Sequence, residues 1–306
     1  MKLIFATRPS LLARWQTQWV IRALQTLHPN LQCEEKIITT QGDKILDKPL
    51  PEIGGKGLFT KELESELLNG SVHCAVHSLK DLPIQSPAGL TVGCIPVRAE
   101  VRDALISANG YSLATLPANA SVGTSSLRRA AQILSLRSDI RTQSLRGNVD
   151  TRLRKALGGQ YDAIILAGAG LTRLGLDSHI TEWLSLDVML PAPGQGALAV
   201  QCRADDHTTL SLLAALDDEY TRKAVSAERA FLSRLGSGCA VPVAAYAMTS
   251  DQSSVISLTG LVISEDGKKV VKVTGQGIDA LELGNELAQK AIRQGADEIL
   301  KLVTMN

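Results

Sequence analysis

Between Lys2 and Ala167 the chain alternates short apolar runs with stretches of helical length, and this alternation constrains the fold more than any other feature of the sequence. Lys2–Thr7 reads as a strand that runs directly into a helix starting near Ser10. That helix is expected to carry Leu12, Trp15, Trp19 and Ala23 on its buried face and to stop at His28-Pro29. Residues 33–40 read as a second strand, Phe59, Leu63 and Leu67 mark a helix ending at Asn69-Gly70, and Cys74–Ser78 and residues 90–95 read as further strands. A second set follows. Residues 104–107, 120–122 and 142–145 are strand-like, residues 125–136 form a helix with Ser125 as its N-cap, and Val149–Leu157 forms a helix ending at Gly158-Gly159. Ala163–Ala167 is apolar throughout, as a strand buried inside a parallel sheet must be. Strands separated by helices of this length build βαβ units, hence one or two open α/β sheets.

The last third has a different grammar. A helix over residues 221–235, with Ala224, Ala227, Phe231 and Leu235 in one stripe, precedes three strand-like runs (241–247, 255–263, 269–274) and a helix Ala280–Arg293 that breaks near Gly295 and resumes. Strands grouped before helices predict a separate α+β domain, with its boundary at residues 217–220. Residues 41–57 show no periodicity and hold Gly42, Pro49, Pro51, Gly54, Gly55 and Gly57, the composition of a lid or binding loop. The opening MKLIFATRPS is too short in apolar residues for a secretory leader, and no run reaches membrane-spanning length, so a cytoplasmic protein is expected. Five cysteines without a C-x-x-C pair predict neither a disulfide framework nor a metal site, and four of them sit in apolar strands as small buried hydrophobes.

Seven arginines crowd residues 128–154 (Arg128, Arg129, Arg137, Arg141, Arg146, Arg152 and Arg154), opposed only by Asp139 and Asp150. Arg128 and Arg129 fall in the first turn of the expected helix, where the dipole disfavours cations. An anion at that helix start resolves the conflict, held by backbone N–H groups and guanidinium forks. Arg146 ends a strand and Arg152 lies one turn into the next helix. Ligands of open α/β sheets bind beyond the carboxyl ends of strands, so these four are expected to share one crevice, with Arg137, Arg141 and Arg154 on the surface. Arg8, at the end of the first strand, holds the equivalent place in the first set. The block His77-Ser78-Leu79-Lys80-Asp81 closes a strand on a charged pair. Asp81 is there either to stabilise a developing cation and move a proton, or as part of a plain turn, and His77 is read as structural. Cys239, in Gly236-Ser237-Gly238-Cys239, is a nucleophile, an attachment point or an inert turn residue. The residues alone leave two classes open, an enzyme or a two-domain anion-binding clamp. A net charge of +1 (32 Lys+Arg against 31 Asp+Glu) and 3% aromatic residues argue against a nucleic-acid binder.

Ordered blocks along nearly the whole chain resemble the porphobilinogen deaminase (hydroxymethylbilane synthase) family. They are Ala6-Thr7-Arg8, Gly54-Gly55-Lys56-Gly57-Leu58-Phe59, the 75–83 block, Gly123-Thr124-Ser125-Ser126-Leu127-Arg128-Arg129, Leu145-Arg146-Gly147-Asn148-Val149, Leu190-Pro191-Ala192-Pro193-Gly194-Gln195-Gly196, Ala227-Glu228-Arg229 and Gly238-Cys239-Ala240. Leu11 stands where the family often has proline. The resemblance implies two doubly wound domains like those of periplasmic binding proteins with a cleft between them, plus a smaller α+β domain. These would be residues 1–97 with 197–216, residues 101–190, and residues 219–306. It also implies an enzyme that joins four porphobilinogen molecules head to tail, losing ammonia, on a dipyrromethane cofactor held by a thioether to Cys239. Asp81 would be the catalytic residue. Lys80, Asp81, Ser126, Arg128, Arg129 and Arg146 would hold the cofactor, and Arg8, Ser10, Gln16, Lys56, Phe59, Arg146 and Arg152 the substrate, with no metal. The implied protein is a monomer with no nucleic-acid or membrane partner.

Overall fold

The computed structural model of the chain describes residues 1–44, 57–236, 241–250 and 253–304. The first sheet is built from β1 (Lys2–Thr7), β2 (Gln32–Ile37), β3 (Cys74–Ser78), β4 (Leu90–Cys94) and a late strand, β10 (Leu198–Arg203), in the order β2-β1-β3-β10-β4. Its helices are α1 (Leu11–Leu27), the short α2 (Gln41–Lys44), α3 (Lys61–Leu68) and α7 (His207–Ala214). The second sheet contains β5 (Asp103–Ile106), β6 (Ser121–Gly123), β7 (Arg141–Gln143), β8 (Ala163–Ala167) and β9 (Glu182–Trp183), in the order β7-β6-β8-β5-β9. It carries α4 (Leu127–Leu136), α5 (Val149–Leu157) and α6 (Gly168–Arg173).

The two sheets share one plan. Each has three parallel strands (β2, β1, β3 and β7, β6, β8), followed by one antiparallel strand and an edge strand. The antiparallel member, β10 in the first sheet and β5 in the second, is in each case reached by a chain crossing between sheets. Two crossings, residues 95–102 and 184–197, therefore run side by side. Ala99 donates its N–H to the Gly196 carbonyl. A Cβ on Gly196 would stand 2.7 Å from the Ala99 oxygen, so only glycine permits this approach.

Central strands are apolar because both faces are covered: β3, β5 and β8 are buried along nearly their whole length, whereas β2, at an edge, is largely exposed. Cys74, Cys94 and Cys202 lie in one core with Leu3, Phe5, Val20 and Leu24. Burial pushes the Cys94 thiol up to about 12 and Cys202 up to about 11, so both are inert at neutral pH. The buried face of α1 is Ala13, Gln16, Thr17, Val20 and Leu24, one residue round from the expected Leu12, Trp15, Trp19 and Ala23 stripe. Small side chains let the helix sit close to the sheet, and the tryptophans lie half-buried at its flanks.

The third unit holds α8 (Glu219–Arg234), the meander β11 (Val243–Ser250), β12 (Ser253–Ile263) and β13 (Val270–Gly277), then α9 (Ala280–Arg293) and α10 (Ala296–Thr304). Phe231, Ala227, Leu258, Val262, Leu287 and Ala291 form its core. Its β12–β13 turn leans on α4. A Cβ on Gly267, at φ +74, would come within 2.5 Å of the Ser135 nitrogen. No helix among the described residues is long and apolar enough to cross a membrane.

Candidate active site

Parallel pairing puts the carboxyl ends of β1 and β3 at one edge of the first sheet, and those of β6, β7 and β8 at one edge of the second. The residues that follow these strands form the site. After β3 the chain makes a single 3-10 turn, Leu79–Asp81, in which Leu79 is buried as an anchor, Lys80 is half-buried and Asp81 is exposed. After β6 it enters α4. Ser126, not Ser125, caps this helix, accepting from the Arg129 N–H at 3.4 Å. Ser125 instead accepts from the Leu145 N–H and donates to its carbonyl, tying the end of β6 to the Leu145-Arg146 segment. The expected cap was thus one residue early, because its hydroxyl is claimed by the backbone of Leu145, in the segment after β7.

Arg128 and Arg129, though at the unfavourable end of a helix, are almost fully buried. The anion that answers them is Asp103, the first residue of β5 and wholly buried. Arg129 donates Nε (3.0 Å) and Nη2 (2.8 Å) to Asp103 Oδ1, and Arg128 Nη1 lies 2.8 Å from Oδ2. Burial alone would raise the Asp103 pKa, but the two guanidinium charges hold it well below the usual carboxylate range. Burial pushes Arg128 down, against the pull of Asp103. One carboxylate against two guanidinium groups leaves a net positive charge.

That excess is shared with the neighbours. Burial first, and then the Arg129 charge, push Lys80 down to about 8, with Asp81 and Asp103 opposing. Burial, Arg129 and Arg146 push Arg152 down to about 10, with Asp81 opposing. Arg152 donates Nε to the Gly147 carbonyl at 2.7 Å. Lys80 thus feels Arg128, Arg129, Asp81 and Asp103, and Arg152 feels Arg129, Arg146 and Asp81, so cations of both sheets share one electrostatic neighbourhood. Arg154 is exposed beside Asp150, and Arg137 pairs with Asp139 while its guanidinium caps the Leu113 and Leu116 carbonyls. His77 is buried against Gln201 at 3.2 Å, and burial lowers it to about 4, so it stays neutral.

Arg8 is engaged at the base of the 41–57 segment. Its guanidinium donates to both oxygens of Asp43 and stacks 4.1 Å from the centroid of the Phe59 ring. Ser10 caps α1 by accepting from the Ala13 N–H, so that helix begins at Leu11 without proline. Gln16 donates to the Ser78 hydroxyl at 3.0 Å, bracing the strand end that leads into Lys80 and Asp81. Lys56 and the greater part of the expected lid, and Cys239 with its turn, lie outside the described residues.

Four residues that organise this region were given no role from the sequence: Asp103, and Gln195, Glu228 and Arg229, which stood only inside blocks of the family resemblance. Glu228, fully buried on α8, pairs both oxygens with Arg98 (2.6 and 3.1 Å) and accepts from the Gly194 and Ala247 N–H groups. Arg229 donates to the carbonyls of Leu79, Leu82 and Pro83, pinning the Asp81 turn from the third unit. A signal existed for Glu228: a carboxylate on the apolar stripe Ala224, Ala227, Phe231 needs buried partners. Asp103 opening an apolar strand was the corresponding signal on β5.

Two family models match the chain: "Porphobilinogen deaminase, dipyromethane cofactor binding domain" over residues 3–211, and "Porphobilinogen deaminase, C-terminal domain" over residues 222–293. A porphobilinogen deaminase of Brevibacillus brevis is 51% identical, covering 96% of this chain and 95% of that protein. One from Syntrophotalea carbinolica is 51% identical over 97% of this chain and 95% of its own length. A Bacillus pumilus porphobilinogen deaminase is 49% identical over 97% and 96%. Among solved structures, a VFT2 domain of Bordetella pertussis BvgS covers 69% of this chain and 84% of its own at 15% identity, with a TM-score of 0.41.

Proposed function

The chain belongs to the porphobilinogen deaminase family, an enzyme family of tetrapyrrole biosynthesis, and from that premise we propose how its cleft works. It joins four porphobilinogen molecules head to tail with release of ammonia, and water then frees hydroxymethylbilane. What supports this reading is the buried Arg128–Asp103–Arg129 cluster, joined through Gln195 to Lys80, which stands beside Asp81 at the end of β3.

The donor set suits the family's dipyrromethane cofactor. Acetate and propionate side chains make pyrrole chains polyanionic, and the site holds more cation than Asp103 neutralises. Lys80, Ser126, Arg128, Arg129 and Arg146 would hold the cofactor, with Cys239 as its thioether anchor. When bound, the cofactor supplies the pyrrole carbon from which the product grows. Arg152 and Arg146 bind the carboxylates of the incoming porphobilinogen. Arg8, Ser10, Gln16, Lys56 and Phe59 form the substrate side, where Arg8 is held by Asp43 and Phe59.

Asp81 does the chemistry. In its acid form it gives a proton to the departing amine of porphobilinogen. As carboxylate it stabilises the cation left on that substrate and then holds the proton lost from pyrrole. Asp81 is exposed, with Lys80 beside it in the same turn. The reading is of a cytoplasmic monomer made of residues 1–97 with 197–216, 101–190 and 219–306, and the near-neutral net charge speaks against a nucleic-acid partner.

Intact mass under denaturing conditions, of this protein beside a Cys239→Ser variant, tests the anchor and the reaction together. The expected result is an excess equal to two linked pyrroles in the first protein and none in the variant, with further pyrrole steps on adding porphobilinogen. A bare-chain mass that porphobilinogen leaves unchanged would refute the proposal in favour of a binding module.

A further inference from the structure

We propose that Gln195, working with Asp103, is a positioning residue that sets Lys80 of the first sheet against Arg128 and Arg129 of the second. The inference rests on the reading of these cations as the carboxylate-binding groups, and assigns what holds their spacing.

Gln195 lies in the second crossing and is wholly buried. Its Oε1 accepts from Lys80 Nζ at 3.1 Å, while its Nε2 donates to the Val101 carbonyl at 2.8 Å and to Asp103 Oδ1 at 2.9 Å. The partners dictate which end of the amide faces which way. An ammonium can only donate, and a carboxylate and a carbonyl can only accept. One acceptor and two donors on the same short arm is the inventory of a carboxamide. Glutamate lacks the donors, lysine lacks the acceptor, and an apolar residue has neither.

The backbone of Gln195 is fixed independently of its side chain. Its N–H bonds to the Ala192 carbonyl, and its carbonyl accepts from Arg98 Nε at 2.8 Å. Arg98 is in turn clamped by Glu228, which also holds the neighbouring Gly194 N–H at 2.7 Å. The amide is thus placed by the third unit and by both crossings before it meets Lys80.

This placement matters because Lys80 and Arg129 repel one another, and a lysine head on a four-carbon stem has many ways to move away. Asp103 neutralises part of the arginine charge, and Gln195 bridges from that carboxylate to the ammonium. The cations of two sheets are thereby held at one spacing, which is what a chain of carboxylates at fixed intervals requires.

A double-mutant cycle on the holoenzyme tests this, with Gln195→Met, Lys80→Met and the double variant, each checked by intact mass for pyrrole content. Gln195→Met is expected to lower kcat/KM for porphobilinogen about tenfold, mainly through kcat because Lys80, Arg128 and Arg129 hold the covalently attached chain, and to add less than about twofold in the Lys80→Met background. A residue that only stabilised the fold would lower both backgrounds alike. Losses that multiply, or an unchanged kcat in Gln195→Met, would overturn the inference. Gln195→Glu, which keeps the shape and the acceptor but removes both donors, is read in the same cycle if the methionine variant does not fold, and multiplying losses overturn the inference there too. If the unaltered protein makes no hydroxymethylbilane, the functional reading fails and this inference with it. If it turns over normally and the losses multiply, only this inference fails.

Discussion

Replacing Asp103 with alanine removes the one carboxylate that, among the described residues, pairs with two almost fully buried guanidinium groups. Breaking a buried pair by deleting one partner costs about 3–5 kcal/mol, because the remaining charge is left without compensation. Here some support survives. Arg128 keeps the Leu190 carbonyl at 2.7 Å, Arg129 keeps the Ile165 carbonyl at 3.3 Å, and Gln195 keeps Val101. The low end, about 3 kcal/mol, is therefore expected. At roughly 2–4 °C per kcal/mol for a chain of this class, Tm falls by about 6–12 °C. Asp103→Asn loses less, since its amide oxygen still accepts from Arg129.

The pH dependence gives an independent check. The folded pKa of Asp103 is held below its unfolded value of about 3.9, so its contribution is complete above that pH and is lost as pH falls toward the folded value. Urea midpoints at several pH values should show a constant gap between the parent and Asp103→Ala from about pH 5 to 8, closing below about pH 4. A loss under about 1 kcal/mol at neutral pH, or a gap that widens in acid, would refute the reading of Asp103 as counter-ion to both arginines.

Other outcomes follow from the same geometry. Asp81→Ala should lower kcat by about 10²–10⁴-fold while the pyrrole content by intact mass stays measurable, and Asp81→Glu should recover part of the loss. Lys80 loses its charge near pH 8, so kcat for porphobilinogen should fall above that pH in the parent and stay flatter in Lys80→Met. Gly267→Val forces a branched side chain into a left-handed backbone position facing α4, and should cost about 2–3 kcal/mol by thermal melting, whereas Lys268→Ala, one residue on and exposed, should be neutral.

What was legible in the sequence followed from short-range rules. β1, β3, β8, α5 and α9 have the limits read from the chain, because apolar alternation and flanking turn residues act within a few positions. That Arg128, Arg129, Arg146 and Arg152 stand close to strand ends was also legible, whereas the burial of Arg128 and Arg129 against Asp103 was not. Shifts of one residue arose where a distant partner intervened. Ser125 bonds to Leu145 and leaves the cap to Ser126, and α1 turns its small residues, not its tryptophans, to the sheet.

By itself the sequence determined the periodicity of its elements, the two architectural styles, and the concentration of cation at strand ends. Only the tertiary structure decided what those cations meet. Asp103 is 26 residues from Arg129, Gln195 is 115 from Lys80, and Glu228 is 130 from Arg98. Neither helix nor strand periodicity reaches so far. Such pairs come together only because two chain crossings place β5 and β10 in their sheets, and once water is excluded there each buried charge must find its partner.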